Sequence, residues 1–519
     1  MMSIDERAAR GTDAQVRTPL SAHAAWTPAA DRPSPVDLLV EQETTREPDL
    51  IPVRHGRMMV SPFTFYRGAA KIMAEDLTNT PTAGLGAQLC GDAHLSNFGA
   101  FASPERRLLF DLNDFDETLP GPFEYDVKRM AVSFVLAARD NGFSRAEALA
   151  AAQASVAGYR EAMADFAQRK TMDLWYASLD ESEIMREARV VAESATAAEK
   201  TAGKAEKKTV KKVAEDKTAK TAKTAKAGAK RKDVAAEKAE KTEVKDARSQ
   251  AKMAKLAEKR VQQFSAKART RDSLSALSKL AEVVDGRYRI VSQPPVVMPL
   301  RELAPELSPA QLDRMVRSQF VKYRATLQPD RKRLLEQFEI VDVARKVVGV
   351  GSVGTRGFIA LLQGRDSADP LFLQAKEATD SVLEANLPRS KYRNHGQRVV
   401  QGQRLMQAAS DIFLGWTTGV DVSRHFYWRQ LRDMKGSVPI ENTTSLGLAM
   451  YGRLCGWTLA RAHARSGDPV AMAAYLGQTD EFDRAISAFS ERYADQNERD
   501  YDEFISAIKD GRLTALEGV

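Results

Sequence analysis

Between residues 193 and 260 the chain has no Phe, Trp or Tyr, and most positions are Ala, Lys, Glu or Thr. A segment of that composition cannot bury enough apolar surface to offset the ordering of its backbone. The core must therefore be assembled from the residues on either side of it. The Ala, Lys and Glu content still permits solvated helix. The same segment concentrates the charge: it holds 21 Lys and Arg against 11 Asp and Glu, whereas the rest of the chain carries 56 against 59. The formal charge of +7 thus describes an insert and not a basic body. Only weak, nonspecific contact with a nucleic-acid backbone is expected of it, with no aromatic to stack on a base.

A chain of 519 residues, 43% of them apolar, suits one large domain or two to three ordinary ones. Its two cysteines, Cys90 and Cys455, exclude a disulfide framework and a cysteine-only zinc site. Both lie among apolar neighbours and are expected to be buried thiols. No apolar run approaches the roughly 18 residues of a membrane span. The N-terminus, MMSIDERAARG, has acidic residues and no apolar stretch of the secretory kind. A cytoplasmic protein with no membrane partner is the expectation.

Residues 1–45, rich in Ala, Pro, Ser, Thr and charge without periodicity, read as a disordered tail. Residues 46–190 read as globular, with helices over 123–166 and Ser144 and Glu147 spaced as a capping box. The low-complexity basic insert follows at 193–260, then a helical connector over 261–340. The texture then changes. Within 341–440, strands are expected in FEIVDVARKVVGVGS, RGFIALLQG, PLFLQAKE and RHFYWRQL, separated by Gly, Pro or polar turns. Residues 441–519 are helical, with Leu448, Tyr451, Cys455 and Leu459 recurring at three or four residues. The fold class is α+β.

The densest polar cluster runs through CGDAHLSNFGAF (90–101) and LLFDLNDFDET (108–118), flanked by strand-like apolar stretches. Asp92 and Asn97 stand five apart, and Asp114-Phe115-Asp116 follows. Phosphoryl transfer needs a carboxylate to orient an acceptor hydroxyl, and an amide oxygen and a second carboxylate for Mg²⁺. Asp92, Asn97 and Asp114 supply that set in the right order. Each Asp alone reads more readily as a turn former or helix cap than as a catalyst; the conjunction is what points to chemistry.

GDAHLSNFG resembles the H-G-D-x-H-x-x-N loop of aminoglycoside phosphotransferases and choline-kinase-like enzymes. In those relatives a metal-binding Asp follows on a strand and another Asp opens a helix about a dozen residues later, as Asp114 and Asp126 do here. One departure is Cys90, where the relatives have His. The whole string also resembles the bacterial family catalogued as domain of unknown function 2252, over most of the chain outside the tail and insert. The resemblance implies a protein-kinase-like fold with Asp92 and His94 in catalytic roles and Asn97, Asp114 and Asp116 at the metal.

Upstream of Asp92 there is no Gly-rich hairpin and no strand lysine. Downstream, Gly349, Gly351 and Gly354 form G-x-G-x-x-G between strand-like segments, and Lys376 follows on the next strand but one. Glycines let a backbone approach phosphates and a strand lysine neutralises their charge, although the same pattern makes ordinary hairpin turns. No helix follows the glycines, which excludes the dinucleotide-binding version. The usual Glu partner of the lysine is missing: Glu384 is rather close in sequence, and the following helix offers Gln397, Gln401 and Gln403. The segment YGRLCGWTLARAHARSGD (451–468) resembles the helix that precedes the catalytic loop in the phosphotransferases. A circularly permuted kinase-like chain, catalytic-loop half first, accounts for all three placements.

The function expected is an ATP- and Mg²⁺-dependent phosphotransferase acting on a small-molecule hydroxyl. A catalytically degenerate nucleotide-binding regulator is the alternative. A metallophosphoesterase pairing GDAH with Asn394-His395 ranks lower, because its earlier D-x-H is absent. Arg54, Arg57, Arg67 and Lys71 read as a solvated helix face or an anion site, and Trp416, Trp428 and Trp457 as core.

Overall fold

Alternation of β-branched, leucine and aromatic residues over 339–378 builds the largest sheet. The structure is a computed structural model describing residues 2–518 apart from 187, 191, 194, 195, 198, 203, 205–226, 272, 285, 286, 348 and 432. Thirteen strands are used below: β1 (Gly86–Leu89), β2 (Phe98–Ala102), β3 (Leu108–Leu112), β4 (Leu119–Pro122), β5 (Leu179–Asp180), β6 (Ala281–Val284), β7 (Arg287–Ile290), β8 (Val297–Pro299), β9 (Glu339–Lys346), β10 (Gly357–Gln363), β11 (Pro370–Ala378), β12 (Gly415–Thr418) and β13 (His425–Gln430). The large sheet is antiparallel, in the order β12-β13-β11-β10-β9-β8. In its register Gly357 faces Lys376, and Lys376 faces Tyr427. The helix His395–Met406, capped by the Asn394 side chain on the Gln397 amide, lies against β11, β12 and β13.

The other half is helical around two small antiparallel sheets, β1-β4 and β2-β3-β5. Helix Phe123–Asp140 is buried along most of its length, and helix Arg145–Gln168 starts on the Ser144–Glu147 capping box. Helix Ser445–Ala464 packs along the latter and against β1 and β3. The chain is therefore mixed α+β with several antiparallel sheets. Cys90 and Cys455 are both free and fully buried. No helix among the described residues is long and apolar enough to cross a membrane.

Three expectations need correction. Residues 1–45 are not disordered: they include helices Ile4–Arg17 and Pro35–Glu43, and the first docks on helix Pro469–Leu476. Composition misled here because a few scattered apolar side chains, Leu20, Trp26, Val36, Leu38 and Leu39, reach the core, and small and charged groups make the rest of the contacts. Gly11 and Ala14 are buried at that interface, His23 bonds the Tyr475 hydroxyl at 2.6 Å, and Arg32 bridges Asp76 and Asp500. The insert is also more than a solvated appendage. Residues 181–202 are helical where described and helix Ala227–Arg269 returns alongside, with Ala188, Ala192, Ala251, Ala254 and Ala257 buried and Arg189–Glu258 and Arg248–Glu199 paired across. Alanine faces bury little area but let two helices approach closely. Residues 205–226 of the insert lie outside the described residues. Finally, the connector over 261–340 is not purely helical, since it carries β6, β7 and β8, and β8 pairs with β9 at the edge of the large sheet.

Candidate active site

The turn after β1 is set by a carboxylate from the next helix. Asp126, one turn into helix Phe123–Asp140, accepts the Cys90 amide at 2.8 Å and the Gly91 amide at 3.0 Å, and His463 stands 3.2 Å from the same carboxylate. The Asp126 anticipated at a helix start is thus a clamp on the loop. Ser133 takes the Leu95 amide, and the Tyr451 hydroxyl donates to the carbonyls of Leu95 and Phe98. The loop's peptide groups are satisfied by helices on both sides of it.

Asp92 emerges from this turn. Arg129 donates to its Oδ1 at 2.8 Å and lies over the Tyr66 ring, 3.8 Å from its centroid. Burial raises the Asp92 carboxyl above the ordinary carboxylate value in spite of Arg129, a shift that suits a proton acceptor. His94 Nε2 is 3.6 Å from Asp92, and burial, with the charges of Arg67 and Arg129, holds its ring well below pKa 6.5. The imidazole is therefore neutral, and among the described residues its buried Nδ1 has no hydrogen-bond partner. Asn97 donates from its Nδ2 to the Asp92 carbonyl at 2.7 Å, so its Oδ1 takes no part in that bond. Its own carbonyl takes the Asn113 amide, so the Asp92 loop and the D-F-D segment are joined directly.

The large sheet brings Lys376 to the same place. Its Nζ is 2.5 Å from Asp116 and 3.9 Å from Asp114. The ammonium is raised: burial opposes its charge, but the two carboxylates outweigh burial. Burial also works against Asp116, yet Lys376, by charge and hydrogen bond, draws that carboxyl below its usual range. Burial and the Asp116 charge push Asp114 the other way, against Lys376 and Arg429. The second carboxylate of D-F-D is therefore the partner the lysine lacked in the sequence. In place of a Glu, helix His395–Met406 supplies Arg398, which donates to the carbonyls of Asp116, Thr118 and Thr379, each at 2.8 Å. It ties the D-F-D segment to the end of the lysine strand.

Asn97, Asp114 and Asp116 offer only oxygen donors, the preference of a hard cation such as Mg²⁺. Among the described residues Asp116 Oδ1 is buried with no hydrogen-bond partner, and burial, then the Asp116 charge, raises the Asp114 carboxyl. These residues fit a divalent cation.

The glycine turn connects β9 to β10. Gly349 and Gly354 have φ of +73° and +91°, a backbone region that favours glycine. Because Gly357 pairs with Lys376, the turn ends next to the lysine. Its carbonyls are held from the N-terminal side: Arg57 donates to Gly349, Arg46 to Val353 and the Glu47 amide to Gly354. Gly351 lies against the Arg67 carbonyl, where an added Cβ would come within 3.0 Å.

The basic face upstream is not a solvated one. Arg54 is fully buried and bonds Glu43, Gln42 and the Gly68 carbonyl, while Lys71 pairs with Glu41. Trp416, Trp428 and Trp457 pack against hydrophobic clusters but are only half-buried. His395 pairs with Asp380 at 2.9 Å and its ring sits beside His425, so its contacts lie at the end of β11 and not in the Asp92 loop. Arg129, Arg398 and Arg46 went unnoticed in the sequence. Arg129 alone had a signal there, lying one helical turn after Asp126.

A family profile described as "Uncharacterized protein conserved in bacteria (DUF2252)" matches residues 46–252 and 229–507. No curated protein and no solved structure matches the chain.

Proposed function

The chain belongs to this bacterial family, and we propose that it is an ATP- and Mg²⁺-dependent phosphotransferase built on a circularly permuted kinase-like fold. One observation carries the reading: Lys376 from the large sheet meets Asp114 and Asp116 beside the Asp92–Asn97 loop, with the glycine turn ending across from that lysine. The permutation is supported by Ser466, just past helix Ser445–Ala464, whose hydroxyl takes the Gln88 amide of β1 at 3.0 Å. Helix and strand are thus consecutive in space, although 378 residues separate those two positions in the chain.

In this reading Lys376 and the glycine turn hold the nucleotide phosphates. A divalent cation on Asn97, Asp114 and Asp116 would shield the phosphate oxygens. The acceptor hydroxyl oxygen bonds the γ-phosphorus, its proton passes to Asp92, and the bond to the β–γ bridging oxygen breaks so that ADP leaves with the electron pair. Arg129 orients the Asp92 carboxylate. In this reading the acceptor is held in a cavity of about 1110 Å³ whose lining includes Arg67, Ser96, Tyr451, Trp457, Val261 and Phe264, with Ser96 next to Asn97 in the chain. That volume is ample for a small molecule.

Calorimetry with MgATP tests the proposal, followed by assay of ADP release. Binding that is lost in Asp114→Ala supports it, and a wild-type chain that binds no nucleotide ends it. Binding without any turnover would favour a regulatory nucleotide binder, the reading to which the missing helix glutamate points.

A further inference from the structure

Arg46 stands directly under the glycine turn. It is 7% exposed, and its Nη1 donates to the Val353 carbonyl. Gly354, with φ +91°, lies across the aliphatic part of the side chain, so that a Cβ there would come within 3.0–3.3 Å of three Arg46 carbons. The position is fixed from both neighbours. The Glu47 amide bonds Gly354, and the Glu47 carboxylate pairs with Arg356 at the start of β10.

Among the described residues no carboxylate pairs with this guanidinium. The carboxylates nearest in sequence are spent elsewhere: Glu47 on Arg356, Glu43 on Arg54 and His55, and Asp49 on Arg345. Asp116 Oδ2 is held by Lys376, and Glu117 takes the Val382 amide. Among the described residues Arg46 makes no ion pair, and its buried Nε has no hydrogen-bond partner. Burial, then the charge of Arg54, depresses its pKa, while Glu117, Glu43 and Asp116 act in the opposite sense. A buried cation satisfied only by a neutral carbonyl lacks the partner that normally accompanies it. A guanidinium's planar fork suits phosphate oxygens.

We propose that Arg46 is an anion-binding residue of the cleft, its guanidinium presented beneath the glycine turn to a phosphate group of the nucleotide. The identity of that anion as a nucleotide phosphate rests on the phosphotransferase reading; the anion site itself does not. Its source is the segment before the catalytic loop, which no motif in the sequence marks.

The test is calorimetry on the full chain with Mg²⁺, using inorganic pyrophosphate, ATP and adenosine as separate probes. Arg46→Met, which keeps the volume and removes the charge, is expected to weaken pyrophosphate and ATP by at least about tenfold and leave adenosine unchanged. Pyrophosphate bound by the wild type and lost in Arg46→Met, with ATP bound by neither, would keep the anion site and discard the phosphotransferase reading. Equal ATP affinity in wild type and variant overturns the proposal, as does a wild type that binds no pyrophosphate. A parallel loss for adenosine also overturns it, by assigning Arg46 to holding the turn. Should Arg46→Met not fold, Arg46→Lys decides. The lysine keeps the charge without the fork, so a loss of several-fold for pyrophosphate alone supports the site, and no loss overturns it.

Discussion

The two loops that meet at the candidate site are anchored in opposite ways. The Asp92–Asn97 loop presents amides to side chains of the core: Asp126 takes two of them and Ser133 a third, with Tyr451 closing the carbonyl side. The glycine turn presents carbonyls, and these are met by Arg46, Arg57 and the Glu47 amide from the N-terminal segment. One loop is part of the core, so its shape is as stable as the fold. The other is held by residues 46–57, which share only a small buried cluster with it, Leu50 and Val53 against Val347 and Val353, so its shape can be altered while the main core survives. Lys376, opposite Gly357 at the end of the glycine turn, reaches Asp116 by charge, and Arg398 ties the segment around Asp116 to the end of β11 by three carbonyl bonds.

The largest effects are expected at the carboxylates between the loops. Asp114→Ala should abolish Mg²⁺-dependent nucleotide binding, measured by calorimetry with and without the metal. Asp92→Ala should spare that affinity while lowering turnover by roughly 10²–10⁴-fold, since its partner is the acceptor proton. Equal nucleotide affinity in wild type and Asp114→Ala would show that the metal assignment is wrong.

Next comes the anchor of the core loop. Asp126→Ala leaves the buried amides of Cys90 and Gly91 without acceptors and should cost about 3–5 kcal/mol in urea denaturation. A loss below about 1 kcal/mol would mean that the loop does not depend on this clamp, and would erase the contrast with the glycine turn.

The N-terminal dock is the third point of attack. A methyl group on Gly11 would lie 2.1 Å from the Ala471 carbonyl, so Gly11→Val must push the first helix away. About 1–3 kcal/mol of stability should be lost. Hydrogen exchange should rise in residues 1–45 and stay protected at Leu95 and Asn97, and equal exposure of both would show that the two halves unfold as one.

The smallest effect is one of pH. Burial, opposed by Arg398 and the Val382 amide, pushes the Glu117 carboxyl from 4.5 up to about 7. The folded chain then holds a proton that the unfolded chain has released, so this group's contribution is present below about pH 4.5 and is lost as pH rises to about 7. Glu117→Gln should flatten the stability profile across that window, and an unchanged slope would remove Glu117 as its source.

Much of the site could be read in the chain because its parts are local. Asp92, Asn97, Asp114 and Asp116 fall within 25 residues, and turn and strand signals around them place them on loops. The Ser144–Glu147 cap and the strands around the glycines were legible for the same reason: period and capping act over a few residues. The role of Asp116 was not legible, because the lysine it pairs with is 260 residues away. Nor was the order of residues 1–45. Its apolar contacts, Leu20, Trp26, Val36, Leu38 and Leu39, are few and widely spaced, and the rest are glycine and alanine faces, a buried His23 and an arginine bridge, so neither hydrophobicity nor periodicity marks the segment.

The sequence by itself determined the element types, the concentration of charge in the insert and the acidic residues able to carry chemistry, since propensity, turn geometry and donor chemistry reside in short stretches. Only the tertiary structure decided which cation faces which carboxylate. Pairing Lys376 with Asp116, Arg129 with Asp92 and Arg46 with the glycine turn requires elements far apart in the chain to meet. Ion pairing and desolvation act through space, and no pattern along the backbone records them.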